Sequence, residues 1–188
     1  MTATVHRQLE RLDAHRLEFC RQLEALDSHA LDASPSPGAW SLAQIAEHFF
    51  RIDQGLDLTG APSTVLGRVR SRLGSLALRG VLSLPVRIPA PPSAQAVMPS
   101  DAPSWPSVRE AWTALRSSWR QALPEVPSST IVYRHPLAGP LCRDDALAFL
   151  LAHHRHHDAQ VRRTLRQLAD DDLGFEVRPV KRSTVALR

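Results

Sequence analysis

LLAHHRHHDAQV, residues 150–161, puts four histidines into five positions: His153, His154, His156 and His157. Placed on a helical wheel at about 100° per residue, residues 142–168 show one apolar face, made by Ala146, Phe149, Leu150, Val161 and Leu168. His153 and His157 fall in the middle of that face. Arg155, Asp158, Arg162 and Arg166 fall opposite, and His154 and His156 sit at its two edges, where they read as exposed surface histidines. Two inward imidazoles one turn apart can reach a common point. Histidine is up to ~0.7 kcal/mol worse than alanine in a helix, and a buried imidazole needs a hydrogen-bond partner or a metal. A helix spanning roughly 143–169, built around such a pair, is the element on which the fold and the chemistry turn.

Three further amphipathic helices accompany it. Residues 4–31 read as one long helix with Leu9, Leu12, Phe19, Leu23 and Leu26 near a 3.6-residue period, ended by ASPSPGAW. A second starts at Ser41, where Ser41 and Gln44 form a capping box, and carries Leu42, Ile45, Phe49, Ile52 and Leu56 on one stripe. A third runs from about 107 to 122 with Val108, Trp112, Leu115 and Trp119 on one side. Residues 63–83 look helical but are interrupted by Gly67, Gly74 and Gly80. From Leu84 to Pro106 the chain is proline-rich and reads as an extended loop, and 130–133 as a short extended piece. With no strand set, the pattern predicts an all-α, antiparallel four-helix bundle. A long proline-rich insertion separates its second and third main helices. One domain over 1–172 and a basic tail over 173–188 are expected.

Composition narrows the function. The 188 residues carry a formal net charge of +4, almost all of the positive charge being arginine. Those arginines are mostly interleaved with acids, so nucleic-acid binding ranks last. Residues 58–100 are the exception, with five arginines and no acid, a stretch that suits an anionic ligand. No apolar run of about 18 residues predicts a membrane span, and the charged, amphipathic start lacks the apolar core of a secretory signal. Cys20 and Cys142 form no CxxC pair and read as buried free thiols in a reducing cytoplasm.

Two histidines hold a metal weakly, so a third ligand is sought on another inner stripe. His48, in IAEHFFRI, lies beside Ile45 and Ile52. A His48, His153, His157 set leaves coordination positions open, the arrangement of a catalytic rather than a structural ion. The competing reading is a set of buried and surface histidines without an ion.

Two patches, GAWSLAQIAEHF (38–49) and HPLAGPLCRDDALAFLLAHHRHHDAQV (135–161), resemble the DinB/YfiT-like superfamily of metal-binding four-helix bundles. The second is similar to that family's run of His-Pro, glycine turn, helix, histidine, three residues, histidine and a nearby glutamine. The resemblance implies that His48, His153 and His157 are the ligands, with Gln160 spaced so as to select 153 and 157. Zinc and nickel both tolerate a set of three neutral imidazoles, with iron or manganese compatible. Two chemistries come with the resemblance: activation of a low-molecular-weight thiol for S-transfer, or of water for hydrolysis. Thiol transfer is preferred at this point because the basic stretch 58–100 suits an anionic cofactor. The alternative is a non-enzymatic, stress-related metal-binding bundle. A small-molecule substrate, a bacterial cytoplasmic setting and a homodimer are compatible with the family.

Around the ligands, Gln160 is the first candidate for a supporting contact, followed by His135, His154, His156 and Glu47. Tyr133 and Arg134 are candidate substrate contacts. No general base stands out: Glu47 points about 100° from His48, Asp158 faces outward, and Asp144 and Asp145 sit where they complement the helix dipole.

Overall fold

The computed structural model describes residues 2–84 and 92–170. The chain forms α1 (Thr2–Glu24), α2 (Ser28–Asp32), α3 (Leu42–Gln54), α4 (Val65–Leu82), a 3-10 helix (Pro92–Val97) and α5 (Trp105–Ala122). A hairpin of β1 (Ile131–His135) and β2 (Gly139–Cys142) follows, then α6 (Arg143–Asp170). Helices α1, α3, α5 and α6 make the four-helix bundle.

Two apolar clusters lie at its two ends. One holds Leu9 and Leu12 of α1, Ile52 of α3, Trp119 of α5, and Leu147 and Leu150 of α6. The other holds Phe19 and Leu23, Leu42 and Ile45, Trp105 and Val108, and Val161 and Leu168. Helices α1 and α6 therefore run from the first cluster to the second, and α3 and α5 run back. Polar contacts agree: Gln8 meets Asp144 and His15 meets Asp158, whereas Asp13 meets Arg120 and Glu24 meets Arg109. The pairs α1/α5 and α3/α6 are antiparallel, as expected. The neighbours α1/α6 and α3/α5 point the same way.

That topology explains the long segment after α3. Two adjacent helices that run parallel need a crossover to bring the chain back, and α4 with the residues up to Ser104 supplies it. Helix α4 packs on α6 and β2. Ser71 Oγ donates to the buried Asp145 carboxylate (2.6 Å) and accepts from Cys142 N–H (2.8 Å), and Ser75 Oγ donates to Asp145 O (2.9 Å). Asp145 thus fastens α4, in addition to its place in the first turn of α6.

Besides the two parallel helix pairs, the elements depart from the sequence reading in four places. The first helix ends at Glu24 rather than continuing to 31, because Asp27 turns extended and caps α2 by accepting from Ala30 N–H. The stretch read as an extended loop contains a 3-10 helix, and α5 begins at Trp105 with Pro106 in its first turn, where its missing N–H is not needed. Residues 85–91 of that stretch, and the basic tail, lie outside the described residues. The extended piece near 130 pairs with 139–142 into a hairpin over the first cluster, through Val132, Tyr133 and Leu141. Asp158 does not face solvent alone but meets His15 Nε2 at 2.8 Å. Helix α3 follows its reading closely: the Ser41–Gln44 capping box is formed, and Leu42, Ile45, Phe49 and Ile52 are buried. Both cysteines are buried free thiols. Among the described residues no helix is long and apolar enough to cross a membrane.

Candidate metal centre

Three imidazoles converge between α3 and α6. One ring nitrogen from each of His48, His153 and His157 lies within 4.8 Å of the others. His48 Nε2 and His153 Nε2 are 3.1 Å apart. Ring centroids are separated by 5.2 Å for His48–His153, 5.1 Å for His48–His157 and 4.9 Å for His153–His157. Helix geometry produces this: His153 and His157 stack at i, i+4 on α6, and antiparallel α3 brings His48 across from them.

The opposite edges of two rings are held. His48 Nδ1 donates to Val97 O (2.8 Å) and His157 Nδ1 donates to Gln160 Oε1 (2.8 Å). Those carbonyl oxygens only accept, so in the neutral rings the proton sits on Nδ1 and the Nε2 lone pair faces the centre. Two Nε2 atoms at 3.1 Å need a proton or a cation between them. Burial pushes His48 down to about 4 and His157 down to about 3, and it takes His153 well below its ordinary value, with the neighbouring imidazoles adding to the effect. All three are neutral near pH 7, the form that binds metal. Three ring nitrogens drawn together, two of them on rings whose outward N–H meets a carbonyl oxygen, fit a divalent ion and the supporting-contact pattern of metal-bound histidine.

The other candidate residues are placed differently. His154, read as exposed, is fully buried: Asp53, on the neighbouring α3, lies 3.2 Å away, and Phe49 stacks on it at 4.6 Å. The wheel of one helix shows only that helix's own apolar face, and α1, α3 and α5 together cover more of α6 than that face. His156 is half-buried, with Nδ1 on Leu82 O at 2.9 Å, because the crossover helix α4 covers it. The Glu47 carboxylate is taken by Ser100 N–H (2.6 Å), Ser100 Oγ (2.8 Å) and Arg51 (2.9 Å), away from the three rings. His135 Nδ1 accepts from Leu137 and Ala138 N–H, both at 3.2 Å, and so stabilises the hairpin turn.

Two features escaped the sequence reading. One is Val97, whose backbone carbonyl holds His48; a carbonyl in a segment without periodicity gives no signal. The other is a buried polar cluster behind the site. The Asp53 carboxylate accepts from Trp112 Nε1 (2.6 Å) and pairs with Arg116 (3.0 Å), and both residues of that ion pair are at most 1 % exposed. Burial alone would raise Asp53; Arg116 first, then His154 and Trp112, outweigh it and hold the carboxyl below its ordinary range. Burial, against the pull of Asp53, lowers His154, so Arg116 is the counter-charge. This cluster left a trace: Asp53 is i+4 from Phe49, and Arg116 is i+4 from Trp112, charges set within apolar stripes.

The three rings stand on the wall of a cavity of about 500 Å³. The rest of its lining is largely apolar, including Ile52, Leu78, Leu82, Met98 and Phe149. Among the described residues Arg134 is the only lysine or arginine on the wall. The arginines of α4 lie elsewhere, since that helix turns Leu78, Val81 and Leu82 to the cavity.

The DinB superfamily sequence profile matches residues 11–161. The chain belongs to the DinB superfamily. Two solved structures share the fold of this DinB-superfamily chain. One is YfiT from Bacillus subtilis, described as a probable metal-dependent hydrolase with an unusual four-helix bundle topology. It aligns with a TM-score of 0.55 at 13% identity over 88% of this chain and 87% of that one. The other is TT2238, described as a four-helix bundle protein, with a TM-score of 0.50 at 18% identity over 84% of this chain and 98% of that one. Comparison with curated proteins gives no match.

Proposed function

We propose that this DinB-superfamily chain is a metal-dependent enzyme in which His48, His153 and His157 hold a divalent ion at the inner end of the cavity. The reading rests on one observation: three neutral imidazoles with ring nitrogens within 4.8 Å of one another, two of them pinned at Nδ1 by carbonyl oxygens. Zinc or nickel suits the set best, with iron or manganese compatible. A bound ion supplies Lewis-acid charge and lowers the pKa of water or a thiol. The protein's part is to present three neutral donors, leave no carboxylate among them and keep an apolar cavity beside them.

Water activation, hence hydrolysis, is the reading preferred over thiol transfer. The basic stretch that favoured an anionic thiol does not turn its α4 arginines to the cavity. The description of YfiT as a probable metal-dependent hydrolase points the same way.

Metal analysis of untagged protein, with His48→Ala and His157→Ala beside it, tests the site. About one divalent ion per chain, lost in both variants, is expected. Loaded protein is then assayed on nitrophenyl esters in thiol-free buffer and on chlorodinitrobenzene with bacterial thiols. Ester hydrolysis that follows metal content supports the proposal. Turnover only with thiol replaces it by S-transfer. Metal without turnover in either assay leaves the metal-binding bundle, and no metal after reconstitution removes the site altogether.

A further inference from the structure

Strand β1 carries two aromatic side chains onto the same wall as the three histidines. Tyr133 and His135 are two residues apart, so they leave the strand on one face. Both rest on Phe149 of α6, with ring centroids at 5.4 Å and 4.9 Å. Phe149 in turn contacts His153 at 5.7 Å, and Phe149, His153 and His157 form one i, i+4, i+8 line along α6. The two β1 side chains therefore stand about one helical turn, ~5.4 Å, before the first α6 histidine of the centre.

Both offer a hydrogen to the cavity. The Tyr133 hydroxyl has no hydrogen-bond partner among the described residues, and it is not one of the sealed, unpartnered atoms of the interior, so it is open to the cavity that the residue lines. Its ring is held in place: a Cβ added at Gly55 would come within 2.9 Å of Tyr133 Cε2. His135 spends its Nδ1 lone pair on two backbone N–H groups, so its proton is on Nε2, the free edge of a ring that lines the same cavity. Burial raises Tyr133 to about 12 and lowers His135, which keeps both uncharged near pH 7.

The wall around them has little to receive a charge. Arg134 interacts electrostatically with Asp57, which also lines the cavity, and the remaining surface is mainly Leu78, Leu82, Met98, Ile52 and Phe149. In the metal-free chain a charged ligand would lose its hydration there, with no counter-charge among the described lining residues other than the paired Arg134 and Asp57.

We infer that Tyr133 and His135 are a ligand-orienting pair: they donate to an acceptor oxygen of an uncharged, apolar-bodied carbonyl compound whose reacting end lies toward His48, His153 and His157. The inference rests on the metal-dependent reading only for which end reacts. The binding preference itself stands on the cavity. A volume of about 500 Å³ admits a ligand of ordinary small-molecule size.

The test uses the uncharged naphthyl ketone prodan, whose emission shifts to the red when its carbonyl accepts a hydrogen bond, and the anionic anilinonaphthalenesulfonate. Each is titrated into the full chain, metal-free and zinc-loaded, with zinc content measured in parallel. The metal-free chain is expected to bind prodan at one site at least about tenfold more tightly than the sulfonate. Tyr133→Phe keeps the ring packing and should weaken prodan roughly three- to tenfold while shifting its bound emission to the blue, with zinc content unchanged. Leu82→Glu should weaken it further. Prodan bound equally, at the same emission, by wild type and Tyr133→Phe overturns the inference, as does equal or tighter binding of the sulfonate at the same site of the metal-free chain, or no prodan binding at all. A chain that takes up no zinc yet binds prodan with these properties refutes the metal centre and leaves the pair standing.

Discussion

Asp53 Oδ1 lies 3.2 Å from His154 Nε2 in a part of the interior where neither side chain is exposed. His154 is the immediate neighbour of His153, and Asp53 is one turn and a half beyond His48 on α3, so the contact ties together, from behind, the two helices that carry the three-histidine centre. Arg116 supplies the charge that Asp53 requires, and its own guanidinium lies over the Trp119 ring at 4.6 Å.

Asp53→Asn leaves Arg116 buried without a counter-ion. Removing one partner of a buried pair costs about 3–5 kcal/mol. Urea unfolding of the metal-free protein should show a loss of that size, and Asp53→Asn with Arg116→Met should recover part of it. An unchanged midpoint in the single variant would mean that the pair contributes nothing to stability.

Gln160 acts on the centre through His157. Gln160→Leu removes the acceptor that fixes the His157 ring, and lost supporting contacts of this kind weaken metal binding about 10–100-fold. Competition with a chromogenic zinc chelator measures it, and the urea midpoint of the metal-free variant should stay near that of the wild type. Equal zinc affinity would show that packing alone orients His157.

The three neutral imidazoles make stability depend on pH. Below about 6.5 the unfolded chain binds protons at His48, His153 and His157 that the folded chain refuses, since burial holds His48 near 4 and His157 near 3. Stability is therefore complete above that point. It falls as pH drops, and the fall continues until the folded rings themselves titrate. Each unit of difference is worth about 1.4 kcal/mol per group. Metal-free protein should lose urea resistance between neutrality and about pH 5, and His48→Phe should flatten the slope. A midpoint that rises on acidification would contradict the direction.

Ser71 is the fastening point of the crossover. Ser71→Ala strands the Cys142 N–H and one Asp145 oxygen, a loss of about 1–3 kcal/mol. Ser75→Ala removes a single bond and should cost less. Differential scanning calorimetry of the two variants gives the order, and a larger loss at Ser75 would reverse the assignment.

Helix positions were legible wherever a 3.6-residue stripe and a cap coincided. Ser41, Gln44 and the stripe from Leu42 to Ile52 define α3 without help from the rest of the chain, and His153 with His157 stand out because an imidazole pair in an apolar stripe has few other uses. What one helix cannot show is what lies against it. His154 sits at the edge of its own wheel, and only the approach of Asp53, Phe49 and Trp112 from two other helices makes that edge interior. The direction of α5 was hidden for a similar reason: a crossover long enough to keep α3 and α5 parallel leaves no mark in local periodicity. The hairpin was foreshadowed only by its first strand, because Gly139–Cys142 is four residues long and contains a proline.

His48 and His153 meet across a separation of 105 residues. During synthesis the first imidazole emerges well before its two partners, and α4, α5 and the hairpin must follow before α6 can close on α3. No short segment holds all three ligands, unlike a zinc finger, whose ligands are close in sequence and whose metal directs folding. Here the apolar clusters can assemble first, and an ion would be admitted to a finished frame. An ion held by the three histidines would join early and late parts of the chain and, above its dissociation constant, would add stability in proportion to the logarithm of its free concentration. On the proposed reading, metal supply would then change the stability of the completed protein rather than whether it forms.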